Sequence, residues 1–248
     1  IKLTIQPGMR VMYVAINALH PILKDPKVRQ AFNYAVDRDA ICKNIMKGFA
    51  RPIDSPMAFA VNGYAPVKGY AYDPARAKAL LAESGWKDSD GDKILDKDGK
   101  KLEVTFWSPS GRYPMDYKVA EAIQAYLKAV GADVKLSTMD WAAFLSESAR
   151  KPDENKSQML LMGWSPSTGD ADWVLRPMFH TKQWVPGGNN RSFYSNAEAD
   201  KFIDIGMVEN DPAKRIEAYT KAQEIIVGEA AWITLYVLDN VNGRRANI

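Results

Sequence analysis

The chain has 248 residues, of which 46% are hydrophobic and 25% charged, a balance that predicts a globular protein with a substantial core. Its 33 basic and 30 acidic residues are interspersed, which argues against a phosphate-binding stripe and therefore against a nucleic-acid partner. No apolar run reaches the roughly 18 residues of a membrane-spanning helix, and the single cysteine, Cys42, cannot form an internal disulfide and is expected in a core.

The first predicted element is a strand at residues 11–17, which are rich in β-branched and aromatic side chains. Apolar residues then recur at helical spacing from Val28 to Val36, and a second short helix is predicted at residues 39–48. Residues 49–72 contain Pro, Gly and scattered aromatics without a sustained period, which is typical of a long surface loop.

The rest of the chain alternates between helices and strands. Asp73 and Asp211 each precede a proline and are predicted N-caps, and Ser195 with Glu198 has the spacing of a capping box. This alternation predicts an α/β fold in which helices flank a sheet, and residues 1–248 are expected to form a single domain. Helices are predicted at residues 74–84, 113–131, 141–150 and 171–179 and after residues 195 and 211, and strands at residues 101–108, 132–139, 158–164 and 230–238.

Few sequence patterns point to catalysis. His20 and His180 have no Cys or acidic neighbours at metal-ligand spacing, so no zinc site is predicted and each is expected on the surface or in a loop. The sequence contains neither a Gly-x-Ser-x-Gly elbow nor a glycine-rich phosphate loop. A Ser-His-Asp triad is assembled in space and is not excluded by sequence, but nothing favours one.

The aspartate-rich segment at residues 88–99, DSDGDKILDKDG, raises the hypothesis of a calcium-binding structural module. Asp88, Asp90 and Asp92 would fill the first three ligand positions of an EF-hand loop, and Asp96 a later one. The turn position of that loop has a lysine instead of glycine, however, and the last position has a glycine without a carboxylate. The Asp-Gly pair within DKDGK predicts a hairpin turn instead, so these four residues are only a weak calcium candidate and no cofactor is expected.

Two strand-to-helix loops carry side chains that suit a small ligand. In α/β sheets, ligands bind at the carboxyl ends of strands beside helix N-termini. One loop, SPSTGDAD, follows the buried strand at residues 158–164, and the other contributes Arg112, whose planar guanidinium can pair with a carboxylate bidentately. Core packing is the alternative for the two tryptophans of the first loop. The predicted ligand-binding residues are Arg112, Trp164, Ser167, Thr168, Asp170, Asp172 and Trp173.

Asp170 and Asp172 allow two further interpretations. They could act as the acid pair of a hydrolase, although such pairs need carboxyl groups about 5 to 9.5 Å apart, which residues this close in sequence seldom provide. One of them could instead cap the helix that begins beside it.

Blocks along the whole chain resemble the solute-binding proteins of peptide-type ABC importers, periplasmic proteins that carry dipeptides, oligopeptides, nickel chelates or glutathione. The resemblance is carried by YVAIN, DPKVRQAFNYAVDRDAI, YDPARAKALLAESGW, AEAIQAYLKAVGADVKL, GWSPSTGDADW, and FYSNAEADKFI with DPAKRIEAYTKAQEII. Within this family, GWSPSTGDADWVLRPMF and FYSN look most like the glutathione-binding branch.

The resemblance implies a periplasmic-binding-protein-like fold of type II, in which a mixed β-sheet is flanked by helices. Two lobes joined by crossing strands would close on a small peptide-like solute and deliver it to the membrane permease of the importer, without enzymatic turnover. This chain matches the second, C-terminal lobe, so the first lobe is expected outside the sequence. The implied location is the periplasm, or outside the cytoplasmic membrane on a lipid anchor.

The family's ligand residues carry over only in part. Arg112, in SGRYP, matches the arginine that pairs with a dipeptide's carboxylate, whereas Ser167 stands where family members have an aspartate for the peptide's ammonium. A buried ammonium would then lack its partner, unless Asp170 or Asp172 substitutes. The resemblance therefore implies a carboxylated, peptide-like solute, and glutathione fits well because it has two carboxylates.

Overall fold

The computed structural model describes residues 2–245, in which strands and helices alternate as expected of an α/β fold. The strands are β1 (Lys2–Ile16), β2 (Ala50–Pro52), β3 (Asp96–Lys97), β4 (Lys100–Lys101), β5 (Glu103–Pro109), β6 (Asp133–Met139), β7 (Met159–Trp164) and β8 (Trp232–Arg244). The helices are α1 (Pro26–Ala35), α2 (Arg38–Ala40), α3 (Pro74–Glu83), α4 (Asp116–Ala129), α5 (Trp141–Ser148), α6 (Asp172–Phe179), α7 (Ala197–Val208) and α8 (Pro212–Gly228), with a π turn at Ile41–Ile45 and a 3₁₀ turn at Thr181–Gln183.

The predicted helix caps are mostly confirmed. The carboxylate of Asp73 accepts the backbone N–H of Arg76 at 2.8 Å, and Asp211 caps α8 in the same way. The capping box at Ser195 is wrong, because the side chain of Asn196 caps α7 by accepting the N–H groups of Glu198 and Ala199. The cap therefore lies one residue later than the sequence pattern indicated.

Three other boundaries differ from the prediction. The first strand begins at Lys2 instead of residue 11, and its exposed first part is held by pairing with the equally exposed end of β8. The second short helix is a single α turn followed by a π turn. The loop at residues 49–72 contains the short strand β2, which pairs with β8.

The central sheet has six strands in the order β2-β8-β1-β7-β5-β6, and β1 shows how it divides the core. Met12, Val14 and Ile16 point into one cluster of buried apolar side chains, whereas Tyr13 and Ala15 point into a second cluster. The first cluster is covered by α1, α3 and α4, and the second by α6, α7 and α8. Helices therefore cover both faces of the sheet, as the α/β prediction required.

The carboxyl ends of β5, β6 and β7 lie at one edge of the sheet, since β5 runs parallel to both neighbours. β1 is antiparallel to β7 and pairs Val11 with Trp164, which brings the segment around Arg10 to the same edge. β7 pairs with β5 only through Met159 and Leu160, so the two strands separate beyond these pairs. A gap between β5 and β7 thus opens at the edge where α/β sheets bind ligands.

β1 and β8 continue together beyond the sheet as a two-stranded ribbon that pairs Lys2 with Arg244 and Pro7 with Asp239. The pairing is interrupted by a bulge between Pro7 and Val11. Among residues 2–245, no helix combines the length and the apolar character needed to cross a membrane.

Candidate functional site

Arg112 lies in the loop after β5, where its exposed side chain rests on two aromatic rings. Its guanidinium carbon is 4.9 Å from the centroid of the Trp141 ring and 5.6 Å from that of Tyr113. The carboxylate of Asp116 accepts the backbone N–H groups of Arg112 and Tyr113 at 2.9 and 3.1 Å, which fixes the turn. The rings hold the guanidinium in place while leaving its N–H donors available.

Tyr113 bridges the gap between β5 and β7. Its hydroxyl donates a 3.4 Å hydrogen bond to the carbonyl of Gly163, so the loop that carries Arg112 and the loop after β7 meet here. A Cβ at Gly163 would lie 2.6 Å from Met12 Sδ, 3.1 Å from Tyr113 Cε1 and 3.2 Å from Arg10 Cδ. Glycine at this position therefore lets the ring of Tyr113 and the side chain of Arg10 approach β7 closely.

The two tryptophans have different environments. Trp164, at the end of β7, is half-buried against the second core cluster, and its indole N–H donates to the carbonyl of Trp173 at 2.8 Å. Trp173 lies in the first turn of α6 with 39% of its surface exposed. Ser167 and Thr168 are exposed at the tip of the intervening loop. Trp164 is therefore partly packed in the core, as the alternative interpretation held, whereas the side chains of Trp173, Ser167 and Thr168 are exposed to solvent.

The carboxylate of Asp170 is bound internally. Its oxygens accept bidentate hydrogen bonds from Arg215 at 2.7 and 2.9 Å, a third from the Asn62 amide and a fourth from the backbone N–H of Asp172. The Arg215 guanidinium holds the pKa of this carboxyl below its usual range. Asp170 therefore ties the loop after β7 to α8 and accepts the N–H of Asp172 at the start of α6, although the N-cap residue of that helix is Ala171.

Asp172 is also paired, with the guanidinium of Arg176 one helical turn later at 2.6 Å. The carboxylates of Asp170 and Asp172 therefore each have an arginine partner, and either would have to leave it to bind a ligand ammonium. Their role as ligand contacts stays a prediction. The hydrolase alternative gains no support, because both carboxylates of the suggested acid pair are engaged by arginine side chains.

One arginine that the sequence did not single out completes the charged rim around Tyr113. The guanidinium carbon of Arg10 is 5.9 Å from the Tyr113 centroid, because the pairing of β1 with β7 brings this residue to the same edge of the sheet. Arg10 belongs to no binding motif and is remote in sequence from Arg112, so only the fold brings the two together.

The aspartate-rich segment lies apart from this rim. Asp88, Asp90 and Asp92 bring carboxylate oxygens within 4.8 Å of one another, but the ammonium of Lys101 pairs with the last two. Asp96 is held separately by the hydroxyl and N–H of Ser89. The predicted hairpin is confirmed as β3 and β4, joined by Asp98 and Gly99, both with positive φ. The lysine between two of the carboxylates stabilises this turn by offsetting their charge.

His180 lies in the connection between α6 and the 3₁₀ turn, in agreement with the loop alternative, but it is not on the surface. It is buried, with its Nδ1 accepting the N–H of Lys182 at 3.0 Å and its Nε2 lying 3.3 Å from Asp204. The apolar face of α6 places it there, and its ring caps the following 3₁₀ turn.

The fold defines a class of protein, the type II periplasmic binding proteins. The structure of the oligopeptide-binding protein AppA from Bacillus subtilis in complex with a nonapeptide matches with a TM-score of 0.88 and 30% identity, covering 97% of this chain and 47% of that protein. The ABC transporter-associated periplasmic binding protein DppA from Helicobacter pylori, in complex with the peptide STSA, matches with a TM-score of 0.83 and 27% identity, covering 97% of this chain and 44% of that one.

The chain belongs to the bacterial extracellular solute-binding proteins of family 5, whose middle-region model matches residues 1–185. Among the curated relatives, the glutathione-binding protein GsiB of Shigella flexneri serotype 5b is 33% identical over 251 residues, covering 100% of this chain and 46% of that protein. The resemblance seen in the sequence is therefore confirmed. The chain spans less than half the length of the relatives that it matches.

Proposed function

We propose that this chain is the second ligand-binding lobe of the substrate-binding component of an ABC importer. It captures a small peptide-like solute, glutathione or a short peptide, against a first lobe of the same protein and delivers it to the membrane permease. The observation that carries the proposal is the guanidinium of Arg112, held on two rings at the carboxyl edge of the sheet. Among residues 2–245, no carboxylate lies within ion-pairing distance of it.

Arg112 suits a carboxylate because its planar fork can donate two parallel hydrogen bonds. The faces of Trp141 and Tyr113 restrict its rotamers before the solute arrives, which lowers the entropy lost on binding. Trp173 and the hydroxyls of Ser167 and Thr168 would add an aromatic wall and hydrogen bonds to amide groups.

A solute with an acidic character fits this lobe better than a simple dipeptide held by its ammonium. Ser167 carries no charge, and Asp170 and Asp172 are neutralised by Arg215 and Arg176. The printed name of the GsiB relative, a glutathione-binding protein, supports the same choice, since glutathione has two carboxylates and one ammonium.

The mechanism is binding without turnover. A solute that contacts both lobes only when they are closed stabilises the closed state by those additional contacts, and this difference drives closure. Family membership supports a non-enzymatic role, and the extracellular description of the family supports a location in the periplasm or on a lipid anchor outside the cytoplasmic membrane.

The test is Arg112→Gln in the full-length protein, with affinity measured by calorimetry for glutathione and for a panel of dipeptides. We expect the bound carboxylate to lose about 1.5–3 kcal/mol, the range for a charged hydrogen bond. Arg150→Gln is the matched control, because Arg150 pairs with Glu147 on the exposed end of α5. Unchanged affinity in Arg112→Gln would remove this residue from the site, and absence of binding to the whole panel would overturn the proposed solute class.

A further inference from the structure

An apolar pocket lies beside the base of the ribbon that β1 and β8 form. Its volume is about 570 Å³, and the apolar side chains that line it include Ile45, Met46, Phe49, Met115, Leu238 and Val241. Met46 belongs to the first core cluster and Leu238 packs against it, so the pocket lies on the side of the sheet that α1, α3 and α4 cover. It is therefore separate from the loop after β7, which packs on the second cluster through Ala171.

Three of the side chains in this pocket are open to solvent. Phe49, Met115 and Val241 are 39%, 49% and 44% exposed. Single exposed apolar residues are common on proteins, whereas several that share one pocket mark an interaction site. Among the lining residues the charged ones are Lys47 and Asp239, and the carboxylate of Asp239 is already paired with an arginine at 2.7 Å. The pocket therefore suits an apolar partner.

Met115 has a backbone conformation that methionine rarely adopts. Its φ of 57° lies in the left-handed region, which is unfavourable for a residue with a Cβ. Strain at a residue with an exposed apolar side chain points to a contact that this side chain makes. The same turn carries Arg112, because Asp116 accepts the backbone N–H groups of Arg112 and Tyr113. A partner at Met115 and a carboxylate at Arg112 would therefore order one turn.

The pocket spans the bulge that separates the ribbon from the sheet. Leu238 pairs with Ala50 of β2 on the sheet side, whereas Val241 pairs with Ile5 inside the ribbon. One wall of the pocket thus moves with the sheet and another with the ribbon. Since a bulge is a point where a strand bends, bending here would change the width of the pocket.

The exposed apolar surface continues from the pocket along the ribbon. Ile5, the partner of Val241, is 53% exposed, and Leu3, two residues away on the same face, is 60% exposed. The family resemblance implies a first lobe joined to this one by crossing strands, and the relatives are more than twice as long as this chain. Two strands that leave the sheet together fit that joint, so the apolar surface beside them faces the first lobe.

We propose that the first lobe of the same protein docks on this pocket when the two lobes close, and that one of its apolar side chains fills the space between Phe49, Met115 and Val241. Closure then buries these side chains and strengthens solute binding without touching the solute. The inference rests on the proposed function, because it requires a two-lobed protein that closes on its solute. It goes beyond that function by assigning a contact between the lobes outside the cleft.

The first experiment compares Phe49→Ser and Val241→Thr with the unmodified full-length protein. Calorimetry measures glutathione binding at several temperatures. We expect each variant to weaken binding about fivefold, because closure buries less apolar surface. The heat-capacity change on binding should also become less negative, since burial of apolar surface is its source.

Met207→Ser and Val208→Thr are the matched controls. Met207 and Val208 are exposed at the end of α7, a helix that packs against the second core cluster. Both controls should bind glutathione as the unmodified protein does, with the same heat-capacity change. Circular dichroism verifies that all four variants fold.

The second experiment needs only the unmodified full-length protein, and so it decides even if a variant does not fold. Hydrogen exchange of residues 45–49 and 239–243 is followed by mass spectrometry with and without glutathione. We expect glutathione to slow exchange in both segments about fivefold or more and to leave residues 205–209 unchanged. Equal rates in the two states would overturn the inference, whether the pocket stays open or is covered permanently.

Other occupants of the pocket would give different results. A second copy of the chain would make the molar mass depend on protein concentration, and the membrane permease would leave glutathione affinity unchanged in the variants while uptake is lost. Either result overturns the inference.

The outcomes also separate this inference from the proposed function. If both variants bind glutathione within about twofold of the unmodified protein, the pocket is not a contact between the lobes although the proposed function stands. If the unmodified protein binds neither glutathione nor any dipeptide, the proposed function fails and this inference fails with it.

Discussion

Asp170 and Arg215 form a bidentate ion pair in the candidate site, with two hydrogen bonds between them and each side chain about one quarter exposed. Replacing Asp170 by asparagine keeps the shape but removes the charge that faces the guanidinium. We expect Asp170→Asn to lower the free energy of unfolding by about 1.5–3 kcal/mol at pH 7, as for other charged hydrogen bonds. Urea denaturation measures this loss, and Glu147→Gln, which breaks an exposed pair, is the control with a smaller effect.

The same variant has a defined pH dependence. Because Arg215 depresses the pKa of Asp170 in the folded state, the stabilisation is fully present above the unfolded pKa of about 4 and is lost as the pH falls through the folded value. The difference between the unmodified protein and Asp170→Asn should therefore shrink on acidification from pH 7 to about pH 3. A difference that is constant with pH would show that the ion pair is not its source.

Single residues also mark the limit of what the sequence could predict. Arg112 could be proposed because its loop position and its match to a family motif point to the same role. The pairing of Asp170 could not be predicted, since its partner lies 45 residues away, on α8.

Among the secondary-structure elements, local chemistry predicted the helices better than the strands. Asp73 and Asp211 cap their helices as expected, because a cap depends on neighbours two or three residues away. The extent of β1 was underestimated, because its first half and the end of β8 are both exposed and their pairing joins segments that are distant in sequence.

The bulge of β1 gives a prediction at the level of this element. A Cβ at Gly8 would lie 2.1 Å from the carbonyl oxygen of Leu238, which is backbone and cannot move aside without disturbing β8. We expect Gly8→Ala to lower the free energy of unfolding by about 1–3 kcal/mol, as for other overpacked substitutions. Thermal or urea denaturation measures the change.

Gly228 provides the matched control for this variant. It lies at the end of α8, and a Cβ there would meet nothing within 4 Å. Gly228→Ala should therefore leave the stability unchanged or raise it by up to about 1 kcal/mol through helix propensity. Equal losses in the two variants would mean that the contact with Leu238 is not the cause.

At the scale of the whole molecule, the α/β class followed from the alternation of elements, and the family followed from blocks spread along the chain. The sheet order and the gap between β5 and β7 could not be predicted in this way, because strand pairing joins segments that are distant in sequence. The loop residues of the candidate site could therefore be proposed from the sequence, whereas the residues that strand pairing brings to the gap could not.

A whole-molecule prediction concerns residues 1–248 alone. If this chain is one lobe of a two-lobed trap, it offers only half of the cleft and cannot gain the contacts of closure. We expect it to bind glutathione at least about 100-fold more weakly than the full-length protein, equivalent to about two charged hydrogen bonds. Calorimetry on both proteins measures the ratio, with circular dichroism to confirm that the chain is folded. Equal affinities would show that this lobe forms the complete site.

The bulge at Gly8 also lies two residues from Arg10, and this distance has a mechanical consequence. The ribbon on one side of the bulge and the charged rim on the other share a single backbone segment. A change in the twist of the ribbon would therefore rotate the backbone at Arg10, and an anion bound to Arg10 would resist that rotation. The angle between the ribbon and the sheet would then be coupled to the binding of an anion at the rim.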